Sequence, residues 1–388
     1  MARPAKINQR KYIKNKNSRR REVLWNSISL EKGKSLSDYP EEIISNILSR
    51  LPASSLNDLK RVCKNWLDII SSSCFIQCHL ARVQPYLIER KTFWNNQIRS
   101  VDVKDSEIRV RNLVIGCDWE ILATCNGLLL IKDYLLDDIC ISNPATKQLL
   151  RLPTCSKSPC DDYHLLHDLE YYVGFDYAEL DFYRFGYAPS TREYKVVHFF
   201  HDGFHQLCEI LTLGSDSWRR IDISFLVLPL IFSEQLSLNN GVLPLIFSDQ
   251  LSLNGVLHWV VGYHYIMSMD VAQETFDETR IPSCIRPNYD TFYMDETFHL
   301  SDIRGSPSLI NRISDVEFEV WILKDFQIKE WIKLRNIDGT ARGLINLIPL
   351  PCLRNDEVVF QSREKKSGHL VLSTYDFKLQ KMIQGMIH

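Results

Sequence analysis

The sequence predicts an α+β multidomain chain: a small module of three helices, then an all-β propeller of six blades, with seven as the alternative. Three observations lead there. Apolar residues keep a helical period from Ser37 to about Ile70 and then lose it. After Pro85, short runs rich in Val, Ile, Phe, Tyr and Trp are bounded by Asn, Gly, Asp and Pro, which is strand grammar. Within those runs one phrase recurs at matching length, so the β part is repetitive.

Composition is consistent with this division. Of 388 residues, 45% are hydrophobic and 24% charged, with only 15 Gly and 15 Pro, which excludes low-complexity, collagen-like and wholly disordered chains. The length calls for at least two folding units. No run of eighteen apolar residues exists, so no membrane-spanning helix is expected.

The net charge of −2 conceals an uneven distribution. Residues 1–34 carry 11 Lys or Arg against Glu22 and Glu31, a balance of +9 that leaves −11 on the rest. With weak apolar periodicity this stretch is expected to be a solvated basic tail, 1–34. Its Lys14 to Arg21 cluster also fits nuclear import or loose contact with polyanions. An odd count of 11 Cys and no secretory h-region point to a reducing compartment, with the thiols mostly in the core and strands. Cytoplasm and nucleus are the expected locations.

The helical module is expected over 35–84. Asp38 followed three residues later by Glu41, with Pro40 in the first turn, starts a helix that should run to about Arg50. Ile43, Ile44, Ile47, Leu48 and Leu51 form one broad apolar stripe along it. Pro52 with Ala53, Ser54 and Ser55 breaks the helix. Leu56, Leu59, Val62, Cys63, Trp66, Leu67 and Ile70 then carry a second and third short helix. A bundle this small cannot enclose apolar residues on more than one face of each helix, so the surplus calls for a partner surface, or else for the rest of this chain.

In the β part, 85–388, Asn126-Gly127-Leu128-Leu129 leads through Asn143-Pro144 to Leu152-Pro153. Asn254-Gly255-Val256-Leu257 leads through Asp270 to Ile281-Pro282. From Asn to Pro the two phrases run 27 and 28 positions. Strand-turn-strand units are expected around Pro144, Pro189, Ser215, Val271, Phe326 and Phe377. At ~45–50 residues per four-stranded blade the region holds six or seven blades. A pair of generic β-sandwiches is the structural alternative, and sparse glycine means that blade turns must use Asn, Asp and Ser. A second, shorter repeat interrupts the pattern: Val227 to Asn239 recurs at Val242 to Asn254 with 12 of 13 positions identical. This duplicated insert at 227–254 is too short for a blade. Deleting Val227 to Gly241 is therefore expected to leave the fold intact, and loss of soluble protein on expressing that deletion would refute the reading.

Chemical motifs are few. There is no phosphate-cradling loop, G-x-S-x-G elbow, dinucleotide glycine set or H-E-x-x-H. Cys155, Cys160, His164 and His167 would supply four zinc ligands, but three residues between the pairs hinder tetrahedral closure, so an ordinary polar loop is expected. His198, His201 and His205 read as strand alternation and a turn; Asp137-Asp138 and Asp161-Asp162 read as turn residues. No cofactor, metal or catalytic residue is expected, and nucleic acid is not an expected partner.

The residues from Tyr39-Pro40-Glu41-Glu42-Ile43-Ile44-Ser45-Asn46-Ile47-Leu48-Ser49-Arg50-Leu51-Pro52 through Val62-Cys63-Lys64-Asn65-Trp66 resemble the F-box, with Tyr39-Pro40 where Leu-Pro is usual. That resemblance implies docking onto the SKP adaptor, and through it a cullin, of an SCF-type ubiquitin ligase. Its carried-over contact positions are Pro40, Ile44, Ile47, Leu48, Leu51, Pro52, Leu59, Val62, Cys63 and Trp66. In the β part Cys125-Asn126-Gly127-Leu128, Asn143-Pro144-Ala145-Thr146, Phe185-Gly186-Tyr187, Glu193-Tyr194-Lys195-Val196-Val197, Leu213-Gly214-Ser215-Asp216-Ser217-Trp218-Arg219 and Asn254-Gly255-Val256-Leu257-His258-Trp259 resemble the plant F-box-associated, kelch-like propeller. It implies a non-catalytic receptor whose propeller holds a protein substrate. Loops 288–298 and 161–172 are the candidate substrate contacts. A scaffold acting without a ligase, and an enzyme or metalloprotein built on the propeller and resting on the Cys/His cluster, are the alternatives.

Overall fold

A computed structural model of the chain describes residues 39–82, 87–90, 98–104, 107–113, 119–156, 182–201, 206–223, 250–261, 264–285, 298–339, 344–354, 357–364 and 370–386. The chain divides into two compact units, the second beginning at Gln84. The basic tail and all but residues 250–254 of the duplicated insert lie outside the described residues.

Among the described residues the first unit contains four helices, where three were expected: α1 (Glu41–Leu48), α2 (Ala53–Leu59), α3 (Lys64–Ser71) and α4 (Ser73–Arg82). Pro40 and Pro52, with φ of −53° and −58°, pre-set the entries to α1 and α2, and Glu41 and Glu42 place negative charge on the first turn of α1. α1 stops at Leu48, before the expected Arg50. The fourth helix was hidden by Ser71-Ser72-Ser73, which reads as a break. Ser72 is instead a cap, its Oγ accepting the Phe75 N–H at 3.2 Å. Ile44, Leu48, Leu56, Ile69, Ile70 and Phe75 form the buried core, with Tyr39, Leu51, Leu59 and Trp66 packed half-buried against it. His79 closes the unit by hydrogen bonding its Nε2 to the Leu51 carbonyl at 2.9 Å, and Arg82 donates to Asn46 Oδ1 at 3.1 Å and to Ser49 Oγ.

The second unit is a β-propeller whose sheets, among the described residues, are all antiparallel. Its first sheet has three strands among the described residues, β1 (Leu87–Arg90), β2 (Ile98–Lys104) and β3 (Glu107–Leu113). Five four-stranded blades follow: β4 (Trp119–Cys125) to β7 (Gln148–Arg151) through β5 (Leu128–Asp133) and β6 (Asp138–Asn143); and β8 (Phe182–Ala188), β9 (Glu193–His201), β10 (Gln206–Thr212) and β11 (Arg219–Ile221). The third is β12 (Leu251–Leu253), β13 (Val256–Val261), β14 (Tyr265–Asp270) and β15 (Thr275–Arg280); the fourth β16 (Phe298–Ile303), β17 (Ser306–Arg312), β18 (Glu317–Asp325) and β19 (Glu330–Asp338). The last is β20 (Leu344–Arg354), β21 (Glu357–Glu364), β22 (Leu370–Asp376) and β23 (Lys381–Met386). Among the described residues, five four-stranded blades and one sheet of three strands make six sheets, where six or seven blades were expected. Neighbouring sheets meet through their early strands: β4 lies beside β8, β8 beside β13, β13 beside β16, β16 beside β20 and β20 beside β1.

All six expected hairpins occur where the turn chemistry placed them. In five tight turns an Asx side chain, Asp133, Asn143, Asp270, Asp325 or Asp376, uses its Oδ1 to accept two backbone N–H groups ahead of it. Non-glycine residues take the left-handed position that closes them: Asp137, Lys147, Glu274, Lys329 and Gln380, with Arg192 in the Pro189 turn. Asn126-Gly127, Asn254-Gly255 and Arg304-Gly305 have positive φ at both central residues, the two-residue hairpin turn matched to strand twist. The recurring phrase is one structural unit: Asn126 and Asn254 each open the turn into the second strand of a blade.

The core lies between sheets. Phe199, Trp259, Met267, Met269 and Val271 join the β8–β11 blade to the β12–β15 blade, while Ala123, Leu130, Phe185, Val196 and Leu211 join β4–β7 to β8–β11. Gly186 is required at the first seam, because a Cβ there would lie 2.7 Å from Val271 Cγ2. The second copy of the duplicated insert supplies β12, and its Gln250 accepts from the Phe185 N–H at 2.8 Å and donates to the Phe185 carbonyl at 2.6 Å. That occupied place is why removing the first copy, 227–241, should be tolerated.

Buried histidine gives the propeller an acid sensitivity. His258, 3% exposed, hydrogen bonds through Nδ1 to Ser268 Oγ at 2.8 Å, and burial pushes its pKa down to about 4. The folded value lies below the unfolded value of 6.5, so stability is full above that value and falls as pH drops toward 4. Between pH 7 and 5 the expected loss from this residue is about 2 kcal/mol. Denaturant titrations at the two pH values should show a smaller difference in His258→Gln than in the unaltered chain.

Candidate functional site

Two places merit chemical attention, one in each unit. On the helical unit, α1 carries two apolar columns because its isoleucines and leucine fall at i, i+1, i+4 and i+5. One column, Ile44 and Leu48, is 2% exposed at both positions and belongs to the core. The other, Ile43 and Ile47, is 47% and 54% exposed one turn apart. Val62 in the α2–α3 turn, Leu67 on α3 and Ile76 on α4 are also exposed.

The ten carried-over contact positions therefore divide. Pro40, Ile47, Pro52, Val62 and Cys63 are exposed, Leu51, Leu59 and Trp66 are half-buried, and Ile44 and Leu48 face inward. The last two fill the core of this unit, so the exposed and half-buried positions are the ones that offer surface to a partner. Ile43, Leu67 and Ile76 were missed as exposed apolar residues; for Ile43 the signal was the width of the α1 stripe. Tyr39, in place of the usual leucine, packs half-buried on the core.

On the propeller, candidate loops 288–298 and 161–172 lie outside the described residues, except Phe298, which starts β16 buried. Cys160, His164, His167 and His205 also lie outside them, and of His201 only the backbone is described. Cys155 is described and half-buried, and the structure places it beside two residues that its sequence neighbours did not indicate. Its Sγ, a ring nitrogen of His198 and a carboxylate oxygen of Glu209 lie within 4.8 Å of one another. His198 and Glu209 are directly opposed on β9 and β10, which is the signal that hairpin register offered and spacing along the chain did not. Their side chains are 0% and 3% exposed, with Nδ1 3.0 Å from Oε1.

Glu209 also accepts from the Ser156 N–H and Ser156 Oγ, both at 2.8 Å. Burial would raise this carboxyl, but the hydrogen bonds from His198 and Ser156 outweigh it and hold the pKa below its usual value. Cys155 Sγ lies 3.4 Å from Tyr183 Oη, Tyr183 stacks on His198 with centroids 4.2 Å apart, and Trp218 Nε1 donates to the Pro153 carbonyl at 2.8 Å. The segment leaving β7 is thereby fastened to the next blade.

None of the eight cysteines whose side chains are described forms a disulfide. Cys125, Cys140 and Cys208 are buried strand residues whose thiols are raised by burial, Cys125 to about 12. Cys63, Cys74, Cys78 and Cys284 are exposed, so the expectation of mostly core thiols holds only in part. A cleft of about 390 Å³ is lined by Arg280, Ile281, Pro282, Ser283, Lys329 and Trp331, with Lys329 Nζ already held 2.9 Å from Asp277 Oδ1. No described helix is long and apolar enough to cross a membrane.

Comparison with known proteins gives the same two parts. Residues 36–77 match the F-box domain, and residues 89–387 match the F-box associated beta propeller domain. The chain is 26% identical to F-box protein At3g07870 of Arabidopsis thaliana, covering 92% of this chain and 89% of that protein. It is 25% identical to F-box protein CPR1 of the same plant, covering 77% and 73%, and 24% identical to F-box/kelch-repeat protein At3g23880, covering 78% and 80%. With a helical unit that leaves apolar side chains exposed, a bladed β unit built on a repeated hairpin, and matches across both, the chain belongs to the plant F-box proteins that carry an F-box associated β-propeller domain.

Proposed function

We propose that this protein is the substrate-recognition subunit of an SCF-type ubiquitin ligase. The F-box docks to a SKP-family adaptor, and through it to a cullin, while the propeller binds a target protein for ubiquitination. The supporting observation is the outward column of α1, Ile43 and Ile47, together with exposed Val62 and Leu67 in a unit whose own core is already filled. Such a receptor is non-catalytic: other subunits transfer ubiquitin and the receptor supplies proximity. Its place of work is the cytoplasm, the nucleus or both.

The test is affinity purification of the tagged full chain from plant cells with the proteasome inhibited. Adaptor and cullin should co-purify with one or more ubiquitinated proteins that accumulate only under inhibition. Recovery of stable partners without adaptor or cullin would overturn the ligase reading in favour of a ligase-independent scaffold.

A further inference from the structure

We propose that Cys155, His198 and Glu209 form a binding site for a zinc-class divalent cation, which pins the segment after β7 to the β8–β11 blade. Thiolate, imidazole and carboxylate are the three protein ligand types of tetrahedral zinc, and the thiolate disfavours magnesium and calcium. With metal–nitrogen and metal–oxygen bonds of ~2.0–2.2 Å, tetrahedral donors sit roughly 3.3 Å apart. His198 Nδ1 and Glu209 Oε1 are already 3.0 Å apart, and all three donors fall within 4.8 Å. A small inward movement of Cys155, carried on a connecting segment, completes the three-sided site.

The surroundings are those of a metal site. Ser156 donates from N to Oε1 and from Oγ to Oε2 of Glu209, orienting the carboxylate in the way that outer hydrogen bonds orient metal ligands. Tyr183 stacked on His198 fixes the plane of the imidazole. His198 and Glu209 are almost wholly buried, where a net charge is costly. Two anionic ligands and one dication sum to zero. On binding, the cation takes the place of the proton between Nδ1 and Oε1; the imidazole stays neutral by carrying its proton on Nε2, and the Cys155 thiol releases one proton to solvent.

The test uses the purified, reduced full chain, stripped with chelator and titrated with Co²⁺ alone, then with Zn²⁺. One equivalent of Co²⁺ should produce a thiolate-to-cobalt charge-transfer band that Zn²⁺ abolishes, and Zn²⁺ should raise the melting temperature. Cys155→Ser should lose both effects, whereas Cys284→Ser, at an exposed thiol elsewhere, should keep them. Glu209→Gln preserves the side-chain shape while turning one of the two acceptor oxygens into a donor and removing the charge, and should weaken Co²⁺ binding at least tenfold with an unchanged circular dichroism spectrum. Absence of the band in the unaltered chain, its persistence in Cys155→Ser, or undiminished affinity in Glu209→Gln would each overturn the site and leave a purely hydrogen-bonded clamp.

Discussion

Ile47→Asp is expected to weaken adaptor binding at least a hundredfold while leaving the melting temperature of the chain nearly unchanged. Ile47 is 54% exposed on the outward column of α1, so substitution removes no core contact, and exposed substitutions of this kind stay within about 0.5 kcal/mol. At an apolar interface the same carboxylate would be stripped of water without a partner, a cost of several kcal/mol, and about 3 kcal/mol already corresponds to a hundredfold in affinity. Leu48→Asp is not equivalent. At 2% exposure it would place a charge in the core and unfold the unit, so lost binding there would say nothing about the interface. Calorimetric titration of both unaltered and Ile47→Asp chains with purified adaptor, with thermal melts alongside, separates the two effects; equal affinities would remove α1 from the contact.

Glu274→Ala is expected to destabilise the propeller by about 3–5 kcal/mol, the cost of leaving a buried charge without its partner. Glu274 closes the β14–β15 turn in the left-handed conformation and reaches the preceding blade, where its Oε1 lies 2.8 Å from Lys195 Nζ and its Oε2 accepts from Arg219. The Lys195 side chain is only 6% exposed, and without Glu274 it keeps only the longer contacts to Glu193 Oε2 at 3.9 Å and the Ala272 carbonyl at 3.5 Å, so a nearly buried cation loses its close partner. Burial would raise the Glu274 carboxyl, but hydrogen bonds from Lys195 and Arg219 prevail and hold it below its usual value. Because the folded value is depressed, this pair stabilises fully above the usual carboxylate range and loses its effect as pH falls through and below 4.5. Lys195→Met added to Glu274→Ala should recover much of the loss, since the stranded charge is then gone. Urea unfolding of the single and double variants provides the measurement; a single variant within 1 kcal/mol of the unaltered chain would contradict the account.

The hairpins were legible because their determinants are local. Asx at the turn start, an apolar or proline residue next, and Asn-Gly between strands are all read within six residues, and each did what its chemistry dictates. Val271 shows the limit. It marks a turn in sequence, but its 0% exposure and its contact with the Gly186 backbone position come from the neighbouring blade. The first sheet and the blade count were less legible, because 85–118 carries no copy of the recurring phrase and one sheet shows three strands among the described residues.

At the candidate sites the split is similar. Helical spacing correctly identifies an apolar stripe on α1 wide enough for two faces, but spacing alone cannot say which column faces inward. The fourth helix decides part of that, since its Phe75 fills the same core as Ile44 and Leu48. His198 and Glu209 meet through strand register, a relation across a hairpin, whereas spacing along the chain groups Cys155 with Cys160, His164 and His167.

The most direct measurement is equilibrium binding of the purified full chain to a recombinant SKP-family adaptor at physiological salt. A one-to-one complex that Ile47→Asp abolishes is the result expected from a receptor. No detectable complex with a correctly folded chain, or a complex indifferent to that substitution, would contradict it.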